Sequence, residues 1–232
     1  MEIKNFIKSQ LSGWTKAEIT GVFVVFGIIL FCALSYQDSV IAVISAVCGI
    51  LYTIIAGKGK ISCYFFGLAG SGCYSTLAFQ NALWGQLILY MCYYIPMEIL
   101  GIFKWKKHLK KDKSEIIKTK LTEKEVIILT LLSVIGIVIT AVILFLLKDK
   151  NSVIDGITTV LSIAGMYLTV RRCIEQWIIW MIVNGLSFIM WLNIVFQGTK
   201  AYATVIMWGV YFILAVYFYM VWKKEETVGI NS

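Results

Sequence analysis

The feature that most constrains this chain is a recurrence: stretches of about 20 residues, apolar on nearly every face, follow one another along most of the sequence. A water-soluble domain would instead carry amphipathic stripes turned towards one shared core. Runs that are apolar all round exceed what such a core could bury, so the bilayer is the solvent that fits them. The composition agrees, with 59% apolar residues, 15% charged residues and a single proline. The expected fold is an all-α integral membrane protein of about eight transmembrane helices. Their spans are read at Ala17 to Tyr36, Ser39 to Ala56, Ile61 to Phe79, Trp84 to Phe103, Val126 to Leu147, Val153 to Val170, Cys173 to Phe196 and Ala201 to Trp222. The segment Met1 to Lys16 carries scattered lysines and no long apolar core followed by a small-residue cleavage site. It therefore reads as a cytoplasmic lead-in at the membrane surface and not as a removable signal peptide.

A formal net charge of +8 could suggest nucleic acid, but the placement of the basic residues argues otherwise. With alternate loops assigned to one side, that side collects Lys4, Lys8, Lys16, Lys58, Lys60, nine lysines from Lys104 to Lys124, Arg171, Arg172, Lys223 and Lys224. Only Lys148, Lys150 and Lys200 fall on the other. The positive-inside rule then puts both termini in the cytoplasm of a multi-pass protein of the cell (inner or plasma) membrane, and an even number of helices requires the same. The run Lys104 to Lys124 reads as a solvated loop that sets orientation, with binding of anionic lipid as the weaker alternative.

Cys32, Cys48, Cys63, Cys73, Cys92 and Cys173 lie in or beside apolar segments without the close pairing of a zinc or redox motif, and read as small hydrophobes. The one histidine, His108, sits in the lysine-rich loop, so the membrane interior has no imidazole for metal ligation or base catalysis. No catalytic residue, metal or cofactor is expected. A membrane-embedded enzyme is therefore disfavoured relative to a carrier, and a scaffold or sensor subunit would need aromatic stripes that merely pack.

Two blocks of the chain resemble each other. Both open with Ser-Val-Ile (Ser39-Val40-Ile41 and Ser152-Val153-Ile154), carry Phe-Gln at the end of their second helix (Phe79-Gln80 and Phe196-Gln197) and close on Trp-Lys-Lys (Trp105-Lys106-Lys107 and Trp222-Lys223-Lys224). The offset between them drifts only from 113 to 117 residues. Three short matches in one order predict a duplicated three-helix unit. An odd unit would invert on direct repetition, but the helix Val126 to Leu147 between the copies restores the orientation, which makes the repeats parallel. The organisation expected is a lead-in and peripheral first helix over 1–37, a first repeat over 38–107, a cytoplasmic loop and linker helix over 108–150, a second repeat over 151–224 and a cytoplasmic tail over 225–232. Parallel repeats related by an axis along the membrane normal are a transporter architecture, with the solute held near mid-membrane.

Helical spacing selects the candidate site residues. Trp177, Trp180, Asn184, Ser187 and Trp191 share one face of the seventh helix. An amide as deep as Asn184 needs partners, from another helix or from a solute, because an unsatisfied polar group in hydrocarbon costs several kcal/mol. For Trp177 and Trp191, near the helix ends, anchoring at lipid headgroups is the competing reading. Tyr90, Tyr94, Glu98, Gly101 and Trp105 align on the fourth helix. Glu98 is an intramembrane carboxylate and so a functional candidate, with a structural ion pair to Lys104 or another basic residue as its alternative. Pro96 is placed to kink that helix. Trp208, Tyr211, Ala215, Tyr219 and Trp222 form a matching face on the eighth, while Gly67, Gly70, Ser71, Gly72 and Cys73 give the third helix small side chains for close approach. With no Lys or Arg at mid-membrane, a phosphorylated solute is disfavoured. Flat rings with one amide and one carboxylate suit a planar neutral or cationic heterocycle, each ring contributing roughly 0.5–2 kcal/mol through cation–π attraction.

The stretch from Tyr167-Leu168 through Trp177-Ile178-Ile179-Trp180-Met181-Ile182-Val183-Asn184, the segment Tyr93-Tyr94-Ile95-Pro96-Met97-Glu98-Ile99-Leu100-Gly101 and the closing Trp105-Lys106-Lys107 resemble the PnuC family of vitamin transporters, over about Ser39 to Lys224. The resemblance implies a three-plus-one-plus-three helix core, distantly similar to the sugar-carrying SWEET proteins, with an added first helix. It implies facilitated diffusion of nicotinamide riboside, trapped inside by a cytoplasmic kinase, in a family whose members are often called nicotinamide mononucleotide transporters; thiamin or another nucleoside-like vitamin is the alternative cargo. By position, Trp180 and Asn184 match the family's ring-binding Trp and Asn. Tyr90 stands where Gln or Asn is frequent, and Glu98 where Asn is common. The substrate-binding set expected is Trp180, Asn184, Tyr90, Tyr94, Glu98, Trp177, Tyr211, Trp208, Gln86 and Ser187. The expected partners are a small solute and membrane lipid but not nucleic acid, and homo-oligomerisation stays open.

Overall fold

A computed structural model describes residues 9–10, 13–36, 39–80, 84–110, 115–146, 148, 152–197 and 202–230. Among them the chain is helical, with no strand beyond the isolated bridges Leu109 to Ile116 and Thr119 to Cys173. Eight long helices occur in order. These are α1 (Lys16–Tyr36), α2 (Val40–Gly57), α3 (Cys63–Gln80), α4 (Trp84–Leu89, Tyr90–Tyr94 and Ile95–Lys106 in unbroken succession), α5 (Glu123–Leu146), α6 (Ser152–Val170), α7 (Gln176–Phe196) and α8 (Tyr202–Ile230). Six of them contain a span long and apolar enough to cross a membrane. In α1 the shorter stretch Glu18–Phe31 is apolar, and α3 is diluted by its glycines and hydroxyls.

The expected boundaries hold to within about a turn except at the end of α8. α8 runs beyond Trp222 to Ile230, because leaving the apolar layer does not end a helix whose next residues, Lys223 to Glu226, are good helix formers. α7 starts at Gln176 instead of Cys173, the residues between being used in a turn. Three starts are capped by side chains. The Thr15 and Thr122 N–H groups donate to Glu18 and Glu125 at 2.7 and 2.9 Å, and the glutamate N–H groups donate back to the threonine hydroxyls at 3.2 and 3.4 Å. These are reciprocal capping boxes. Ser39 Oγ accepts from Ala42 N at 3.2 Å at the head of α2.

The chain separates into two compact units, Met1–Ile117 and Lys118–Ser232. In the first, α2 and α3 lie close enough that a Cβ on Gly70 would stand 3.2 Å from Cys48 Cβ, and Ser45 Oγ donates to the Gly70 carbonyl at 3.2 Å. Gly72, also expected at a close approach, faces open space instead, because it points away from both neighbours of α3. Lys58 ties α1 to the end of α2 by an ion pair with Glu18 at 2.7 Å and lies over the Trp14 ring. Phe23, Phe31 and Leu34 of α1 remain exposed. In the second unit α5 packs on α6 at Gly156, where a Cβ would come 3.0 Å from Ala141 N.

Both units close their first repeat helix alike. The turn after α2 closes at Gly59 and the turn after α6 at Arg172, each with φ 65°, and the next N–H reaches back in each case, Lys60 to the Ile55 carbonyl and Cys173 to the Leu168 carbonyl. Such a left-handed cap suits glycine and costs another residue roughly 1–2 kcal/mol. In the first unit the Gly59 carbonyl accepts from Ile116 N at 2.9 Å. In the second the Arg172 carbonyl accepts from Thr119 N at 2.9 Å, and Ile174 N donates to the Thr119 carbonyl at 3.0 Å, bonds that help hold the strained turn. Beside it, the hydrogen bond to Glu125 at 2.7 Å pushes the Arg171 guanidinium pKa further up.

Candidate functional site

In the first unit the acidic face of α4 is built around glycines. Glu98 is 3% exposed and its Oε1 accepts from Ser71 Oγ of α3 at 2.8 Å. A Cβ on Gly67 would stand 3.0 Å from that oxygen and 2.9 Å from Tyr52 Cδ2, so only glycine leaves room for both. Oε2 has no hydrogen-bond partner among the described residues. The alternative ion pair to Lys104 is not formed. Lys104 is exposed, six residues on and therefore on a different face of the helix, while Ser71 stands opposite the carboxyl. One turn further, the Tyr64 ring lies directly on Gly101 and meets Trp105 edge-on with centroids 5.0 Å apart.

At the other end of the same face Tyr90 and Tyr94 stack at 4.8 Å, and Tyr74 of α3 joins Tyr90 at 4.4 Å. The tyrosines sit on a π-helical stretch, Tyr90–Tyr94, in which Ile95 N donates to the Tyr90 carbonyl five residues back. Pro96 accounts for it, since its ring would collide with the carbonyl four residues earlier in a regular α-helix and it has no N–H to give. The expected kink thus takes the form of a widened turn. The side chain of Gln86 lies outside the described residues.

In the second unit Trp180 is pinned to α6. Its Nε1 donates to Thr169 Oγ1 at 3.3 Å, Thr169 Oγ1 donates to the Gly165 carbonyl at 2.9 Å, and a Cβ on Gly165 would meet the indole at 3.0 Å. One turn along α7, Asn184 is 6% exposed and its amide has no hydrogen-bond partner among the described residues. Ser187 is buried on the same face. Trp177 is buried against α8, 5.3 Å from Phe218 and 5.6 Å from Trp222 between centroids, which removes it from the headgroup position that was its alternative. Trp208 meets Tyr211 edge-on at 6.0 Å, and Trp208 Nε1 is buried without a partner among the described residues.

The structure therefore gathers the expected residues as two separate faces, Tyr90, Tyr94 and Glu98 in one unit and Trp177, Trp180, Asn184, Ser187, Trp208 and Tyr211 in the other. Sequence reasoning missed Tyr74, Ser71, Gly165 and Thr169 as shaping residues. Gly67, Ser71 and Tyr74 do stand at i, i+4 and i+7, a signal that in sequence reads equally well as close packing. No group of three His, Cys, Asp or Glu residues that could hold a metal occurs among the described residues.

Comparison with known proteins adds a family to this geometry. Residues 39–224 match the family described as nicotinamide mononucleotide transporter. The chain is 32% identical over 222 residues to the nicotinamide riboside transporter PnuC of Neisseria mucosa, covering 94% of this chain and 84% of the relative. It is 28% identical over 216 residues to the PnuC of Haemophilus influenzae, covering 92% of each. A crystal structure of the vitamin B3 transporter PnuC superposes with a TM-score of 0.80 at 31% identity, covering 94% of this chain and 96% of that one. These relatives are named as transporters, not as enzymes.

Proposed function

Since this chain belongs to the nicotinamide mononucleotide transporter family and is a multi-pass membrane transporter, we propose that its cargo is nicotinamide riboside, read by Asn184 and Trp180. One observation carries the reading: an asparagine in the middle of a membrane helix, 6% exposed, whose amide has no hydrogen-bond partner among the described residues. In hydrocarbon such a group costs several kcal/mol unless something pairs with it. The carboxamide of nicotinamide has the complementary donor and acceptor, and its flat pyridinium ring suits the face of an indole whose N–H is already engaged by Thr169. Tyr211, on the neighbouring α8 of the same unit, supplies a hydroxyl of the kind a ribose takes.

The riboside is favoured over its phosphate ester because the helices carry Lys and Arg only near their ends. A buried phosphate would call for charge-assisted donors. Transport is then facilitated diffusion, made effectively one-way by a cytoplasmic kinase that phosphorylates the arriving riboside. Both termini face the cytoplasm of the cell membrane in this reading, in keeping with the distribution of lysine and arginine.

The test is uptake of labelled nicotinamide riboside into proteoliposomes. Wild type is expected to show saturable uptake that unlabelled riboside suppresses and thiamin does not. Asn184→Ala is expected to lower the transport efficiency by roughly 10- to 100-fold, the loss of a buried polar pair. An Asn184→Ala carrier with wild-type saturation would defeat the assignment.

A further inference from the structure

The turn between α6 and α7 is gripped from outside by the head of α5. Arg171 pairs with Glu125, Nη2 to Oε1 at 2.7 Å, and its Nη1 donates to the Tyr167 hydroxyl of α6 at 3.3 Å. Thr119 Oγ1 donates to the Arg171 carbonyl at 2.8 Å, and Leu121 N donates to Glu175 Oε1 at 3.1 Å. These contacts fall on both sides of Arg172, whose φ of 65° is costly for a residue with a Cβ. The first unit has a matching joint. There Lys58 pairs with Glu18 at 2.7 Å and precedes Gly59 as Arg171 precedes Arg172. Both glutamates close a capping box with a threonine three residues earlier; the boxes are 107 residues apart and the basic partners 113.

What the two joints hold differs. In the second unit the last turn of α6 is also the seat of Trp180. Thr169, two residues before Arg171, accepts from the indole Nε1 at 3.3 Å, and a Cβ on Gly165 would meet the indole at 3.0 Å and Ile179 Cγ2 at 3.3 Å. Beneath the turn Leu121, Leu168 and Cys173 form one buried cluster, with Leu129 of α5 and Ile179 of α7 packed against it. Ion pair, turn, cluster and indole are therefore linked by contacts without a gap. In the first unit the residue 113 positions before Trp180 is Gly67, so that joint has no ring to hold at the matching place.

We propose that Arg171 and Glu125 are positioning residues for the solute: by fixing the last turn of α6 to the head of α5 they fix Thr169, and with it the plane that the Trp180 indole offers to the solute ring. This rests on the reading that Trp180 binds the solute. The pair acts through Thr169 and the Leu168–Cys173–Ile179 packing. Its side chains are 37% and 34% exposed, so its loss is worth a factor of roughly 2 to 5.

The test uses the purified full-length chain, with riboside affinity by calorimetry well below the unfolding midpoint, where a merely structural loss leaves affinity unmoved, and with amide hydrogen exchange over residues 168–180. Glu125→Gln keeps the capping box, in which glutamine serves as glutamate does. Glu125→Gln and Arg171→Gln should each lower riboside affinity roughly 2- to 5-fold and speed exchange at the Cys173 and Ile174 amides, which are bonded to the Leu168 and Thr119 carbonyls. Arg171→Lys, which puts at the turn the residue type of Lys58, should restore wild-type affinity. Glu18→Gln, the same change in the first unit, should leave affinity as it is. Wild-type affinity in Glu125→Gln overturns the proposal, and so does an equal loss in Glu18→Gln, which would mark a general loosening of the chain. If wild type itself does not bind the riboside, the cargo assignment fails, and exchange alone then decides whether the pair holds the turn: unchanged exchange in Glu125→Gln overturns that too.

Discussion

Gly101→Ala is the change whose outcome the packing fixes most tightly. An added methyl on that backbone would fall on the Tyr64 ring, closer to its edge carbons and hydroxyl than real Cβ atoms come. The ring has nowhere to swing, being fully buried with Trp105 at 5.0 Å on one side and Tyr52 at 6.1 Å on another. Overpacking of this kind costs about 1–3 kcal/mol, set against a gain of about 1 kcal/mol from replacing glycine in a helix. Gly72→Ala gives the same backbone gain with nothing within 4 Å of the new atom. The difference between the two variants therefore isolates the collision. At about 2–4 °C per kcal/mol for a chain of this length, Gly101→Ala should unfold roughly 2–12 °C below Gly72→Ala. Tryptophan fluorescence on heating at one fixed scan rate measures it, the fixed rate guarding against irreversible loss. If the two variants melt together, Tyr64 is not seated on Gly101 and the account of the acidic face is wrong.

Contacts in the second unit lead to further expectations. Thr169→Val removes the acceptor that holds the Trp180 indole at 3.3 Å while keeping the shape; riboside half-saturation in proteoliposomes should rise roughly 3- to 10-fold with little change in unfolding midpoint. Gly156→Leu forces a side chain onto the Ala141 backbone, 3.0 Å from where a Cβ would lie. It should sharply lower the yield of monodisperse protein on size-exclusion chromatography, whereas Gly21→Leu on α1, with nothing within 4 Å, should not.

The helices were legible because the bilayer imposes one length and one polarity on a span, and Asn184 and Glu98 stand out in apolar text for the same reason. Which partner each polar group finds was not legible. Glu98 had Lys104 available along the chain, yet Ser71 answers it from a neighbouring helix, through a crossing that the missing side chain of Gly67 allows. Trp177 illustrates the same limit, since a tryptophan near a helix end reads as a headgroup anchor until Phe218 and Trp222 are seen closing over it. The glycines were visible as small residues, but only the packing separates Gly67, Gly70 and Gly101, which touch a neighbour, from Gly72, which does not.

The five-residue repeat of hydrogen bonding at Tyr90–Tyr94 makes α4 two lengths of helix joined by a defect that Pro96 keeps from annealing towards the C-terminus. Such a defect can travel in the other direction residue by residue, and each step turns the passed residue by about 100° relative to the rest of the helix. The tyrosine pair thus rides on a turn of wider pitch than the Glu98 segment, and α3 holds both, the first through Tyr74 and the second through Ser71 and Tyr64.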